Sequence, residues 1–390
     1  MPKFKKKEVD SGLHLVIRSY KTKLRPTSDQ AIMFGKCGDV ARFVYNWALA
    51  DRRDAWEQRA ERVTFEEQKR RFNSIKWEQY PWVVDVPYVV VESAFMHLDA
   101  AYVNFFRRVG CSGDPGYPEF KRMDAPKRFK FRGAFRVERD RIKLPVIGWV
   151  DLAEPDYIPK SPHKIVDVTV SQRANEWFVS VCVQEVRMSP ERPEGDPIGV
   201  DFGYGVLAVT SEGNRYDNPA VFEKNESKLA KLQRKLSRQK KGSKNREKTK
   251  SKIAKLHAKI ADTRAHHAHN VSRSIVDGGH STIAVQKLAV SEMMQDDSPS
   301  NRYAERAKRL ADAATAELRR QIEYKQQWSG GVVLTGETDH ATNRRCSACG
   351  HVNESAPISN EEFTCESCMT VHDRRVNGAK NALHFAGLSL

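Results

Sequence analysis

Hydrophobic and polar positions follow two different periods in the first third of the chain. Residues 13–20 (LHLVIRSY) alternate at every second position, which predicts a strand. From residue 30 to about residue 110 apolar side chains recur three and four positions apart, which predicts helices. Thr27, between a proline and a serine, offers a helix start. The loop 110–118 ends this helical block.

Residues 119–190 return to the period of two, so this part is predicted to be β-structure. The segment KLPVIGWVDL (143–152) is predicted as one strand with a glycine kink. Two further alternating strands, KIVDVTVSQ (164–172) and EWFVSVCVQEV (176–186), flank an Arg-Ala-Asn turn. Alternation on both sides of a short turn is typical of a β-hairpin.

The last half of the chain contains short apolar strands between helical stretches. The predicted strands are IGVDFG (198–203), STIAVQKL (281–288) and GVVLT (331–335). An arginine-rich helix is predicted over 303–327, and RRVNGAKNALHFAGL (374–388) is predicted to form an amphipathic helix.

Composition makes polyanions the expected partners, and a basic enzyme with a solvated surface is the alternative. The 390 residues include 66 Lys plus Arg against 50 Asp plus Glu, a net charge of +16 that favours polyanions. A hydrophobic content of 39% excludes wholesale disorder, and the length suggests about two or three domains. No stretch approaches the roughly 18 apolar residues of a membrane helix, and the lysine-rich start lacks the apolar core of a signal peptide. We expect a protein of the cytoplasm, without a membrane partner.

The strongest concentration of positive charge lies between residues 228 and 248, where ten Lys or Arg accompany one acid. Leucines keep helical spacing through this run, isoleucines and leucines do so after it, and Gly242-Ser243 separates the two parts. The alternative, a solvated or disordered tail, does not account for the apolar spacing, so we predict a helical hairpin with one apolar seam. The side chains expected to contact phosphates are Lys228, Lys231, Arg234, Lys235, Arg238, Lys240, Lys241, Lys244 and Arg246.

Four of the seven cysteines form two C-x-x-C pairs, Cys346/Cys349 and Cys365/Cys368, with fifteen residues between the pairs. This spacing predicts a structural zinc ion held by four thiolates. Two disulfides are the alternative, which the absence of an apparent signal peptide disfavours. The other three cysteines are scattered and are predicted to be ordinary packing residues.

Several segments taken together resemble the TnpB family of transposon-encoded RNA-guided nucleases, from which the type V CRISPR effectors descend. IGVDFG, TIAVQKL and DRRVNGAKNAL are similar to its three RuvC motifs, and ATNRRCSACG with the second cysteine pair is similar to its zinc insertion. The remaining similar segments are YKTKLRPTSDQ, GDVARFVYNWAL, GYPEFK, KLPVIG and KKGSKNREK. The resemblance covers nearly the whole chain.

The resemblance implies an α/β and α+β multidomain fold. It consists of a RuvC (RNase H-like) core with a four-cysteine zinc insertion, and a β-barrel wedge domain with an inserted helical recognition lobe. The expected domains are a wedge strand (1–25), the recognition lobe (26–118), the wedge barrel (119–195), the core with its basic hairpin (196–340), the zinc insertion (341–369) and the end of the core (370–390). The implied partners are a guide RNA and double-stranded target DNA that carries a short flanking motif. The implied location is the bacterial cytoplasm, with association to the nucleoid when the protein is bound to DNA.

The resemblance also identifies positions where three carboxylates would hold two Mg²⁺ ions for strand cleavage. Asp201, at the end of the first motif, is retained. The second motif has Gln286 where the family has glutamate. In the third motif the matching position, two residues before Asn377, is Arg375. A guanidinium there would repel a divalent cation.

Relocated acids are the alternative to a lost active site. Asp373 lies two residues before Arg375, and Asp339, with Glu337 nearby, precedes the zinc insertion where some family members carry their second acid. Glu292 is a weaker candidate. Relocation could replace Gln286, but it does not account for Arg375.

The sequence therefore predicts a nuclease-dead RNA-guided DNA-binding protein that represses transcription by occupying promoters. An active Mg²⁺-dependent endonuclease with rearranged acids is the alternative. A third possibility is a zinc-ribbon RNA-binding protein without a guide.

Overall fold

The computed structural model describes residues 13–110, 115–133, 135–159, 163–203, 205–286, 313–336, 344–353 and 361–388. The chain divides into two compact units, Met1–Met188 and Ser189–Leu390. In the described residues no helix is both long and apolar enough to cross a membrane.

An antiparallel sheet of seven strands forms the β-structure of the first unit. Its spatial order is β2-β6-β7-β1-β5-β4-β3. The strands are β1 (Leu13–Arg25), β2 (Arg128–Phe131), β3 (Arg136–Val137), β4 (Arg141–Leu144), β5 (Gly148–Leu152), β6 (His163–Arg173) and β7 (Glu176–Met188). The predicted hairpin is confirmed: β6 and β7 are joined through Ala174 and Asn175, whose φ angles of 52° and 66° are those of a two-residue turn.

The prediction of one kinked strand over 143–152 is wrong, because the chain reverses there. Leu144 of β4 pairs with Gly148 of β5 in an antiparallel ladder. Between them Val146 has a φ of 66°, and Gly148 has a φ of 83°. Pro145 has no N–H to donate to a ladder, and left-handed residues close a turn rather than continue a strand.

The first unit also contains the predicted helical block, as α1 (Ser28–Arg59), α2 (Phe65–Gln79), a 3₁₀ turn (Pro81–Asp85) and α3 (Tyr88–Arg108). Helix α1 begins with a capping box in which Thr27 and Gln30 each accept the other's backbone N–H. Phe34 anchors α1 on the sheet, with ring centroids 5.2 Å from Trp177 and 5.9 Å from Phe129.

The second unit is built around a mixed sheet of five strands in the order β10-β9-β8-β11-β12. Strand β11 is parallel to β8 and β12, whereas β9 is antiparallel to β8 and β10. The strands are β8 (Ile198–Phe202), β9 (Val206–Thr210), β10 (Arg215–Asp217), β11 (Thr282–Gln286) and β12 (Val332–Gly336), and a separate hairpin pairs β13 (Glu362–Thr364) with β14 (Val371–Asp373). The helices are α4 (Val221–Ser237), α5 (Lys244–Val276), α6 (Thr315–Trp328) and α7 (Arg374–Phe385).

The two faces of β8 contact different helices. Ile198, Val200 and Phe202 join the core formed with α5 and α6. Because side chains alternate along a strand, Gly199 and Asp201 face the other way, towards α7. A Cβ on Gly199 would lie 1.8 Å from the carbonyl oxygen of Ala379 in α7. The glycine therefore allows the helix backbone to rest directly on the strand.

The basic hairpin forms with the predicted break. Gly242 has a φ of 80°, and the Ser243 side chain caps α5 by accepting the N–H of Arg246. The apolar seam of α4 and α5 contains Leu229 and Leu256. In the described residues the arginine-rich helix begins at Thr315, and the predicted stretch 303–312 lies outside them.

We predict that Gly199→Ala destabilises the second unit by at least about 2 kcal/mol, because the new methyl group would overlap a backbone atom of α7 that cannot move alone. Urea unfolding of the full chain measures this change. Gly205→Ala is the matched control, since no atom lies within 4 Å of its added Cβ. Equal midpoints for the two variants would contradict the close contact.

Candidate active site and metal centre

Asp201 forms an ion pair with Arg375, and the two residues come from β8 and from the first turn of α7. Asp201 is 2% exposed, and its Oδ2 accepts a hydrogen bond from Nη1 of Arg375 at 3.0 Å. Gly203 leaves room for the guanidinium, because a Cβ there would lie 3.0 Å from its Cζ. Arg375, which was expected to repel a metal ion, is therefore bound to Asp201, the acid that this chain retains.

Burial controls the protonation of Asp201. Desolvation raises its pKa to about 6, although the charge of Arg375 and its hydrogen bond act in the opposite direction. The negative charge of Asp373 adds to the increase. Asp201 is thus ionised at neutral pH and protonated in mild acid.

Asp373, the proposed substitute acid that lies two residues before Arg375, forms hydrogen bonds with other groups. Its Oδ1 caps α7 by accepting the N–H groups of Arg375 and Val376 at 2.9 and 3.0 Å. Its Oδ2 accepts a hydrogen bond from Arg215 of β10. Burial acts to raise the pKa of Asp373, but the N–H of Val376 and the Arg215 guanidinium outweigh it and lower the pKa.

Gln286 lies at the end of β11 and contributes a neutral amide. Its Nε2 donates to the carbonyl oxygen of Gly378 in α7 at 3.3 Å. The Arg319 guanidinium lies 3.5 Å from its backbone carbonyl oxygen. The side chain thus serves as a link between β11 and α7.

The described residues at this position do not fit a pair of Mg²⁺ ions. Mg²⁺ is bound through carboxylate oxygens in near-octahedral geometry. The two acids present, Asp201 and Asp373, are already bound to Arg375 and Arg215, and the third position is an amide. Asp339 and Glu337, and likewise Glu292, lie outside the described residues, in 337–343 and 287–312.

The four paired cysteines converge on one point, as their spacing predicts. Their sulfur atoms all lie within 4.8 Å of one another. A tetrahedral ion with metal–sulfur bonds of about 2.3 Å places its sulfurs about 3.8 Å apart, so the four thiolates fit one metal ion. Of the scattered cysteines, Cys37 is buried and unpaired and Cys182 is half-buried, as expected of packing residues, whereas Cys111 lies outside the described residues.

The two cysteine pairs have the same local geometry. The N–H of Gly350 donates to the carbonyl of Cys346, and the N–H of Met369 donates to the carbonyl of Cys365. Gly350 and Met369 have φ angles of 80° and 60°. Each pair therefore closes a tight turn that directs two sulfurs to one side.

The cysteine segment is attached to α7 through two buried asparagines. Asn377 and Asn381 both donate to the carbonyl oxygen of Arg345, at 2.7 and 2.6 Å, and Asn377 accepts the N–H of Ser347 at 2.8 Å. The hydrogen bonds of Asn377 and Asn381 to the cysteine segment, and that of Arg215 to Asp373, were not predicted from the sequence. Single amides and arginines have no spacing pattern that indicates such contacts.

The basic hairpin displays most of its predicted phosphate contacts to solvent. Eight of the nine cations named above are exposed. The exception is Arg246, whose Nη1 binds the backbone carbonyls of Leu236 and Gln239 and so closes the turn between α4 and α5.

Comparison with protein families matches three parts of the chain. Residues 179–297 match the OrfB_IS605 family, described as a probable transposase, and residues 316–382 match a Cas12f1-like TNB domain. Residues 16–61 match a family described as a helix-turn-helix domain, although in this structure they contain β1 and the single helix α1.

Two relatives are similar over almost their whole length. "Putative RNA-guided DNA endonuclease InsQ" of Escherichia coli (strain K12) is 30% identical over 94% of this chain and 92% of its own. A "Putative RNA-guided DNA endonuclease" of Streptomyces pristinaespiralis is 31% identical over 96% and 90%. Among solved structures, a Cas12f1–sgRNA–target DNA complex matches 91% of this chain and 83% of its own with a TM-score of 0.53 and 14% identity, which shows a shared fold.

We predict that Cys365→Ser removes the bound metal and loosens the attachment of the cysteine segment to α7. Metal content per chain, measured by inductively coupled plasma mass spectrometry, is expected to fall from one ion to a small fraction. Cys182→Ser, which changes a half-buried cysteine of β7, is the control and keeps its metal. A full metal complement in Cys365→Ser would contradict the four-thiolate site.

We predict that Arg375→Ala destabilises the protein by about 2 kcal/mol at pH 7.5, because it leaves a buried carboxylate without its partner. The pKa of Asp201 is raised, so its burial destabilises the folded protein as pH rises through about 6 and the acid ionises. Arg375 offsets this cost only where Asp201 is ionised. The loss of stability in Arg375→Ala should therefore be much smaller at pH 5 than at pH 7.5. Urea unfolding at the two pH values checks this expectation.

The control for that measurement is Arg273→Ala, which breaks an exposed helical ion pair with Asp277. It should change stability by only about 0.5 kcal/mol at either pH. An Arg375→Ala effect that is equal at pH 5 and pH 7.5 would show that the ion pair is not the cause.

Proposed function

The chain belongs to the TnpB family, which includes the OrfB proteins of IS605 and their relatives, and we propose that it is an RNA-guided DNA-binding protein that does not cut its target. The single observation that carries this proposal is the ion pair between Arg375 and Asp201. Its partners would be a guide RNA and double-stranded DNA with a short flanking motif, as the names of its relatives and of its structural neighbour suggest.

We assign the five-stranded sheet of the second unit to a RuvC-like core. Its order, with three parallel strands β8, β11 and β12 and an antiparallel extension, suits an RNase H-like topology. Asp201 and Gln286 then lie at the ends of adjacent strands β8 and β11, and Arg375 lies in the first turn of the helix that packs across them. These are the three places where such a core would collect its carboxylates.

We assign the first unit to the wedge and recognition lobe. Strand β1 ends at Arg25, helices α1 to α3 occupy most of 26–118, and β2 to β7 lie within 119–195, which supports the proposed boundaries. We retain 196–340 as the core, 341–369 as the zinc insertion and 370–390 as the end of the core, although the β13–β14 hairpin runs across the boundary at 369/370. We further propose that the four thiolates hold a structural zinc ion.

Electrostatics explain why cleavage is lost in this proposal. A magnesium ion is attracted to the site in proportion to the negative charge it meets, and a guanidinium does not lose its proton at any physiological pH. With Asp201 neutralised by Arg375 and with Gln286 uncharged, little negative charge remains to draw in a cation.

Loss of cleavage leaves binding intact. A guide–target heteroduplex is held through its backbone charge and A-form shape, and base pairing carries the sequence information. The exposed cations of α4 and α5, including Lys231 and Lys235, provide charge of the kind that such a duplex needs. A protein of this kind bound at a promoter would repress transcription by blocking polymerase.

An active endonuclease is the second candidate, and one observation favours it. Asp373 lies near enough to Asp201 to raise its pKa, so two carboxylates share the site. Breaking their pairs with Arg375 and Arg215 would free both for Mg²⁺. A zinc-ribbon RNA-binding protein without a guide is a further alternative, which purification of the protein without any bound structured RNA would favour.

We predict that the purified protein with its co-purifying RNA retains a matched DNA duplex in the presence of Mg²⁺ and yields no cleaved product. Gel-shift and denaturing gels of one reaction measure both properties. Product formation that disappears in Asp201→Ala would establish the endonuclease. The pair Gln286→Glu with Arg375→Asp, tested beside the native chain, shows whether replacing these two side chains is sufficient to restore cutting.

A further inference from the structure

A cavity of about 530 Å³ lies in the first unit between α1, α3 and the segment 121–128. Its size is that of pockets that bind small molecules or a single nucleotide unit. The small side chains of Ala100, Ala101 and Ala125 form part of its wall. They leave room for a ligand against α3.

The charge of this cavity has one sign. Arg42, Lys121, Lys127 and Arg128 line it, and the lining residues that the structure describes include no acid. Asp39 lies beside it and offsets one charge, with its carboxylate 2.6 Å from Nζ of Lys127 and 3.7 Å from Arg42. A net positive charge of several units in a concave site attracts a polyanion.

Lys121 is held in place without an acidic partner in the described part of the chain. Asn46 fixes its backbone, accepting its N–H at 2.8 Å and donating to its carbonyl at 2.9 Å. Its Nζ lies 3.8 Å from the ring centroid of Tyr45. Tyr45 and Asn46, which are adjacent in α1, therefore orient the ammonium group of Lys121 in the cavity.

The surroundings of Lys121 make its charge responsive to a ligand. Burial, together with the nearby charge of Arg128, lowers the pKa of Lys121 to about 8. On the facing helix, burial lowers the pKa of His97 to about 4, with Lys121 contributing, so the imidazole is neutral at pH 7. The other charged or titratable groups around this cavity are Arg42, Asp39, Tyr45, Lys127, Arg128, Lys130 and Arg132.

We propose that this cavity binds a phosphate of a nucleic-acid strand, with Lys121 as its central contact and Arg42 and Arg128 beside it. That the phosphate belongs to nucleic acid rests on the proposed function. An anion stabilises the ammonium form of Lys121, so binding takes up a proton near pH 8.

The test uses the full chain freed of RNA at high salt, titrated with single-stranded oligothymidylate in a calorimeter at pH 8. Two buffers with different ionisation enthalpies report proton uptake. We expect about half a proton per bound phosphate for the native chain, because a group with a pKa near the working pH is half ionised. Lys121→Gln should abolish the uptake, weaken binding on the order of tenfold and lower the salt slope by about one.

Three variants distinguish binding in this cavity from nonspecific electrostatic attraction of the oligonucleotide to the chain. Lys121→Arg should keep the affinity but lose the proton uptake, since guanidinium does not titrate there. Ala100→Phe should weaken binding by filling the cavity without changing charge. The control Lys164→Gln, which removes an exposed charge from β6, should keep both the affinity and the uptake.

Native affinity and proton uptake in Lys121→Gln, or native affinity in Ala100→Phe, would overturn the phosphate site whether or not the protein uses a guide. Cavity-dependent oligonucleotide binding without guide-dependent recognition of duplex DNA would sustain the site and overturn the proposed function instead.

Discussion

The direct contact of α7 with β8 is the constraint on which the second unit depends. Because Gly199 has no side chain, the backbone of α7 reaches the strand, and the first turn of the helix then brings Arg375 to 3.0 Å from Asp201. The same helix accepts the amide of Gln286 through Gly378 and holds the cysteine segment through Asn377. One helix therefore connects the sheet, the acid site and the metal centre.

The positive charge of Arg375 is a permanent part of the chain, in contrast to the charge of a bound metal ion. A metal ion exchanges with solvent, whereas a guanidinium is covalently fixed and its cost of burial is offset by the acid it binds. An acid cluster without ions would repel itself, so an arginine in this place reduces charge repulsion within the core. In the proposed function, stability and the loss of metal affinity would have this same physical origin.

Several elements of the structure could be predicted from the sequence, because each depends on a local pattern. Alternation predicted the β6–β7 hairpin, apolar spacing predicted the seam of α4 and α5, and the paired cysteines predicted the cluster of four sulfur atoms. The turn at Val146 was not predicted because alternation continues on both sides of it, although Pro145, which cannot donate to a ladder, and Gly148 are residues that favour a turn. The capping contacts of Arg246 could not be predicted, because they join carbonyls and guanidinium across a turn whose geometry the sequence does not specify.

Manganese binding by the guide–target complex measures directly whether Arg375 keeps divalent ions away from Asp201, because Mn²⁺ replaces Mg²⁺ at oxygen sites and is detected by electron paramagnetic resonance. We expect the native complex and Asp201→Ala to bind the same amount of Mn²⁺, all of it on the nucleic acid. The pair Gln286→Glu with Arg375→Asp should bind more. Manganese held by the native complex and lost in Asp201→Ala would show that Arg375 does not exclude the metal ion.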